Sequence, residues 1–206
     1  LMIRSINESI HKLNAPIDLC YLHQNEMEII TDRYVQKGIE LLKNRGLIKE
    51  IGTSVYSQEE LIYSLDCGIY DWVQIPVNIL DTSFYIAACN RNSDVKLAAR
   101  SVFLQGVIFD QERARADIKN HNNLLSCLER LKLLGSNLNL NIQQLAIAYL
   151  SSLERINQII IGTVSDSKLN ENIASTKIEL NEASIGLIDK IACVPKTWSN
   201  PRSWKL

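Results

Sequence analysis

This 206-residue chain lacks an excess of either charge: 22 Lys and Arg stand against 23 Asp and Glu, a formal net charge of −1. Nothing in that balance invites nucleic acid or an anionic membrane as the main partner, and a small neutral or locally anionic ligand is expected instead. No apolar run approaches the ~18 residues of a membrane span, and the first residues lack the basic, apolar and small-residue succession of a signal peptide. A cytoplasmic protein is the expectation. Cysteine is sparse. Cys20, Cys67, Cys89, Cys127 and Cys193 are odd in number, widely spaced and without a C-x-x-C, which argues against a disulfide framework or a zinc knuckle and for reduced, half-buried thiols. No G-x-G-x-x-G follows a strand, which weakens a Rossmann fold. What is present, 46% apolar and 22% charged residues, excludes disorder and collagen and describes a globular chain with length for one sizeable core or at most two small ones.

The apolar residues alternate between two periods. Ile3, Ile6, Ile10 and Leu13 share a helical face that Asn14-Ala15-Pro16 ends, and the run from Ile17 to His23 has the length and composition of a strand buried on both faces. Val35, Ile39 and Leu42 mark a second helix over 31–45, Gly46 sits where a left-handed residue ends it, and 47–53 reads as the next strand. Ser57-Gln58-Glu59-Glu60 is a capping box opening a helix that runs to Cys67 and closes at Gly68. A strand at 71–76, a short helix capped by Asp81 or Thr82, a turn at 90–94 and a strand at 95–100 follow. Helical stretches at 111–134 and 142–152 lead to a fifth strand at 157–161. Strand starts at 17, 47, 71 and 95 lie 30, 24 and 24 residues apart, close to the ~30 residues of one strand-helix unit in an eight-unit barrel. That period predicts a parallel α/β fold, and by itself it leaves open the choice between a barrel and a doubly wound sheet.

In either architecture the ligand face lies at the C-terminal ends of the strands. Those ends carry His23-Gln24, Ser54, Gln74 with Asn78, Arg100-Ser101 and Gly162-Thr163, each polar and each following an apolar run. His23 is the one imidazole so placed, since His11 falls on a helix and His121 in a charged, Asn-rich segment. Lys168 falls in the first turn of the helix after Gly162-Thr163-Val164-Ser165-Asp166, where a cation opposes the helix dipole unless an anion binds there. Asp166 and Glu171 are near enough in sequence to balance it as an ordinary solvated lysine.

These blocks together, Leu22-His23-Gln24, Gly46 to Ser54, Val73-Gln74-Ile75-Pro76-Val77-Asn78, Ala99-Arg100-Ser101-Val102-Phe103-Leu104-Gln105-Gly106, and Ile161-Gly162-Thr163 with Leu169-Asn170-Glu171-Asn172, resemble the aldo-keto reductases in order and interval. The ending Pro201-Arg202-Ser203-Trp204 and the Arg-Ser-Val-Phe-Leu-Gln-Gly block resemble one bacterial branch associated with surface polysaccharides. The resemblance implies a (β/α)8 TIM barrel, incomplete here, with about the last five strand-helix units plus a C-terminal helix and tail in one domain over 1–206. It implies NADPH as cofactor, with NADH as the alternative, and reduction of an aldehyde or ketone, a sugar-like carbonyl for this branch. His23 would hydrogen-bond the substrate carbonyl, Ser54 and Gln74 the nicotinamide carboxamide. Ser101, Phe103 and Gln105 would lie along the pyrophosphate, and Thr163, Lys168, Glu171 and Asn172 would grip the ribose, its 2'-phosphate and the adenine.

Three positions depart from the family pattern. Val55 stands where an Asn is usual, Arg100 where an aromatic stacks on the nicotinamide, and Gly162 where a Lys is common. A guanidinium plane also stacks on a ring, although it suits an oxidised, cationic nicotinamide poorly. The family's catalytic Asp, proton-donating Tyr and Lys have no counterparts in these residues, and the chain opens within a helical pattern. The expectation is therefore the C-terminal part of a reductase, inactive as it stands. The alternative is a non-catalytic dinucleotide-binding or accessory module.

Overall fold

The structure is a computed structural model that describes residues 2–23, 26–112, 118 and 122–191. Strands and helices alternate: α1 (Met2–Leu13), β1 (Ile17–Leu22), α2 (Met27–Ile30), α3 (Arg33–Asn44), β2 (Ile48–Ser54), α4 (Gln58–Asp66), β3 (Trp72–Pro76), α5 (Ser83–Cys89) and β4 (Lys96–Arg100). A 3-10 turn at Leu104–Gly106 precedes α6 (Asn122–Asn137), α7 (Ile142–Ser151), β5 (Ile156–Ile159), α8 (Asp166–Ser175) and α9 (Glu182–Ile191). The strands run parallel in the order β1-β2-β3-β4-β5, so each neighbour in the sheet is the next strand in the chain. Successive parallel strands need a crossover, and the helices between them supply it. Gln24, His121, Cys193, the ending 201–204 and part of the expected 111–134 helix lie outside the described residues.

The chain forms two compact units, Leu1–Ile75 with Ala87–Leu97, and Pro76–Ile86 with Ala98–Leu206. In the first, Ile6 of α1, Ile39 and Leu42 of α3, Ile48 and Ile51 of β2, Ile30 and Tyr70 make one buried cluster. Local chemistry sets the element ends. Asp32 caps α3 by accepting from the amides of Tyr34 and Val35, and the Ser57–Glu60 capping box forms with both its hydrogen bonds. Gly46 (φ 65°) and Gly68 (φ 72°) take the left-handed conformation after α3 and α4 at the positions the sequence marks. The Asp71 carboxylate joins three elements. It accepts from Lys43 Nζ at 2.7 Å and from the Ile51 amide at 2.8 Å, fixing α3 and β2 against the start of β3.

β1 departs from its expected burial. None of its six residues is fully buried, because it pairs with β2 alone and stands at the end of the sheet. A continuous apolar run does not distinguish an edge from an interior strand.

In the second unit, α7 supplies the buried residues Leu145 to Leu150, and its Tyr149 hydroxyl donates to Asp189 of α9 at 2.5 Å. Burial holds that phenol far above its usual pKa, so it remains a donor. The Ile160 amide donates to Ala99 O at 2.8 Å, continuing the β4–β5 pairing past the end of β5. Cys20, Cys67 and Cys127 are half-buried free thiols, as composition suggests, whereas Cys89 is exposed.

Candidate functional site

In the first unit the register Tyr21–Gly52–Trp72 and Ser54–Gln74 puts these residues on one face of the sheet, because alternate residues of a strand share a face. The opposite face carries Ile51, Thr53 and Val73, all buried. At the lower rows of the first face Glu50 accepts from Trp72 Nε1 at 2.7 Å and from Lys96 Nζ at 2.6 Å, while the Lys96 ammonium lies 5.1 Å from the Trp72 ring centre. The hydrogen bond from Lys96, then that from the indole, holds the Glu50 carboxyl below its usual pKa.

Above these rows come the residues the sequence singles out. Ser54 is the last residue of β2 and sits level with Gln74 of β3. His23 follows the final β1 residue, Leu22, which pairs with Thr53, so His23 falls level with Ser54. It is exposed and borders a cavity of about 430 Å³ that also touches Tyr21, Cys20, Leu22, Ile6 and Leu42. Burial raises the pKa of the Cys20 thiol, which favours its neutral form. Val55, where the family pattern has an Asn, is wholly buried, and its amide donates to Gln74 O at 3.0 Å. The core has taken that position.

In the second unit the loop after β4 has an unusual backbone. Ser101 (φ 60°), Leu104 (φ 45°), Gln105 (φ 51°) and Gly106 (φ 87°) are all left-handed. For the three that are not glycine this costs on the order of 1 kcal/mol or more each. Burial of Val102 and Leu104 anchors the loop, and amide bonds from Leu104 to Ser101 O (2.9 Å) and from Gly106 to Phe103 O (2.8 Å) close it. Conformations of this kind collect where a ligand is held. The loop walls a cavity of about 380 Å³ together with Ile160 to Gly162, so that Ser101, Phe103, Gln105 and Gly162 meet at one opening. Arg100 Nη1 donates to Ser101 Oγ at 3.2 Å. Phe103 packs on Phe109 with ring centres 5.0 Å apart.

Beyond the cavity, Thr163 and Ser165 shape the entry to α8. The Ser165 amide donates to Thr163 Oγ1 at 3.2 Å, and Ser165 Oγ caps the helix by accepting from the Lys168 amide. Lys168 and Glu171 are exposed, and among the described residues the Lys168 ammonium makes no ion pair. Asn172 is different. It is buried, and its Oδ1 accepts from Gln143 Nε2 of α7 at 2.7 Å, so this side chain braces two helices.

Sequence reasoning missed three features. The Asn141–Gln144 capping box on α7 was present as an Asn with a Gln three residues on. The left-handed run at 101–106 had no signal but Gly106, since tertiary anchoring imposes it. The close approach of the Tyr21 ring to Gly52 had none.

Among curated proteins none matches the chain significantly. Its fold is that of solved aldo-keto reductases: the Bacillus halodurans enzyme superposes with a TM-score of 0.73 in its apo form and 0.74 in its holo form, at 19% and 18% identity. Those alignments cover 96% of this chain and 70% and 69% of the solved chains. A mutant of Gox0644, solved in complex with NADPH, gives 0.69 at 19% identity, covering 92% of this chain and 64% of that one. The five-stranded parallel sheet is thus part of a TIM-barrel fold. No helix among the described residues is long and apolar enough to cross a membrane. The profile of the aldo/keto reductase family matches residues 2–192, nearly the whole length, and the chain belongs to that family.

Proposed function

We propose that residues 1–206 form one barrel domain of an NADPH-dependent reductase acting on an aldehyde or ketone, of sugar-like chemistry, and that they carry most of the dinucleotide contacts. The observation that carries this reading is the convergence of Ser101, Phe103, Gln105 and Gly162 on one cavity behind a strained, anchored loop. Its donors suit an extended anion: loop amides, the Ser101 hydroxyl and the Gln105 amide. A Cβ on Gly162 would meet nothing within 4 Å among the described residues, so that flank of the cavity is open.

When bound, the dinucleotide supplies a hydride to the carbonyl carbon. The remaining work falls to the chain. Ser54 and Gln74 hold the carboxamide and so select the ring face, an orientation that near-attack geometry rewards. Arg100 lays its guanidinium plane against the ring. Thr163 and Glu171 bind the ribose and Lys168 its 2'-phosphate, with Asn172 positioning α8 through Gln143 and offering its amide to the adenine. His23 donates a hydrogen bond to the carbonyl oxygen as negative charge develops there.

Lys168→Ala tests the cofactor assignment. Followed by nicotinamide fluorescence, NADPH affinity should fall roughly 5- to 30-fold, the worth of one charge-assisted contact, with NADH nearly unchanged. Equal losses for both, or no binding of either by the parent chain, would contradict it. The second reading, a binding module without turnover, shares these dinucleotide contacts and is separated from the first by assay: dinucleotide binding with no reduction above buffer would support it, and turnover abolished by His23→Ala would overturn it.

A further inference from the structure

Tyr21 has no role in the reading above, yet its placement is tightly determined. It lies on β1 two residues before His23, on the face that carries Ser54 and Gln74. Its ring crosses Gly52 so closely that a Cβ there would sit 2.3 Å from Cε1 and 2.6 Å from Cδ1. The glycine is what lets a ring from the end strand reach across β2 toward β3. At its far end the phenol oxygen is buried and makes no hydrogen bond of good geometry among the described residues, although the Gln74 amide comes near enough to it to offset part of the rise in its pKa. The side chain facing it is Gln74.

An unsatisfied buried hydroxyl is costly, and here the group that could satisfy it belongs to the residue assigned to the carboxamide. We propose that Tyr21 is a positioning residue: its hydroxyl donates to Gln74 Oε1 when a nicotinamide carboxamide binds, turning Gln74 Nε2 toward the carboxamide oxygen. This rests on the role given to Gln74 above. The direction of the bond follows from the inventory of donors. Burial raises the pKa of the phenol and keeps its proton in place, so it can donate; when Gln74 Nε2 turns to the carboxamide oxygen, Oε1 is the atom of that amide left to accept from it. A glutamine whose oxygen is engaged on one side presents its two N–H groups on the other, so the ligand and Tyr21 together fix an amide that is otherwise free to flip. Binding of the nicotinamide completes the bond that is open in the free chain.

The test is a double-mutant cycle with Tyr21→Phe and Gln74→Ala, read by NADPH titration and, in parallel, by titration with 2',5'-ADP, which lacks the nicotinamide. Tyr21→Phe keeps the ring over Gly52, so a thermal transition at the parent temperature shows that the face is intact. NADPH affinity should fall about 2- to 10-fold, the range for one hydrogen bond, with 2',5'-ADP unchanged. In the Gln74→Ala background the same substitution should have no further effect. A purely structural role would move both ligands alike. Undiminished NADPH affinity in Tyr21→Phe, or the same loss with and without Gln74, would overturn the inference while leaving the cofactor assignment standing. A parent chain that binds 2',5'-ADP and not NADPH would remove the role of Gln74 and the inference with it; one that binds neither would remove the proposed function as well.

Discussion

Replacing Gly52 by Ala should destabilise the protein, although alanine ordinarily does better than glycine in a strand. The φ of Gly52 lies outside the left-handed region, so its backbone accepts a Cβ, and in open space the change would stabilise by about 0.4–1 kcal/mol through the unfolded chain. The space is occupied. The new methyl would stand 2.3 Å from Tyr21 Cε1 and 3.1 Å from Trp72 Cβ, against the ~3.5–4.0 Å at which carbons rest. The ring must withdraw by more than an ångström, and its buried hydroxyl end and the Trp72 flank limit where it goes. Overpacking of this kind costs about 1–3 kcal/mol. The net loss is about 1–2 kcal/mol, which at this chain length lowers Tm by roughly 2–8 °C. Thermal unfolding of Gly52→Ala measures it, and the Tyr21→Ala background isolates the cause, because with the ring gone the same substitution should become neutral or stabilising. A Gly52→Ala protein as stable as the parent would refute the close packing, as would one equally destabilised whether or not Tyr21 is present.

Two further outcomes follow from the first unit. The carboxyl of Glu50 has its folded pKa below the unfolded value, so its contribution to stability is complete above the usual glutamate range of about 4.3 and is lost as pH falls through the lower folded value. Tm should therefore drop on acidification below about pH 4.3 more steeply in the parent than in Glu50→Gln, and parallel profiles would show that the Lys96–Glu50–Trp72 contact contributes nothing. Ser57→Ala removes the acceptor for the Glu60 amide and should lower the denaturant midpoint by the equivalent of about 0.5–2 kcal/mol, with Ser57→Asp restoring most of it.

Where the sequence disclosed the fold, a local rule was at work. The strand starts lie within one residue of their expected places because each apolar run is bounded by a glycine, a proline or a cap, as at Gly46, Gly68 and Pro16. The sequence places the fifth strand at 157–161; it spans Ile156–Ile159, and one further pairing bond, from the Ile160 amide to Ala99 O, follows it. The strand-end residues were legible as a register, and the structure gathers them in two groups: His23, Ser54 and Gln74 in the first unit, and Ser101, Phe103, Gln105 and Gly162 in the second. Illegible features are those in which distant parts act on one another. Asn172 reads as a ligand-facing polar residue and is partly engaged by Gln143, 29 positions away. The left-handed backbone at Ser101, Leu104 and Gln105 has no signature in residue type, because burial of Val102 and Leu104 forces it.

Amide hydrogen exchange of the 206-residue chain, with and without NADPH, tests the central claim most directly. If the anchored loop and the start of α8 hold the dinucleotide, amides over 101–106 and 162–168 should exchange more slowly in its presence, and the protection at 162–168 should weaken in Lys168→Ala. Exchange unchanged in both segments at saturating NADPH, or protection confined to other parts of the chain, would contradict the account.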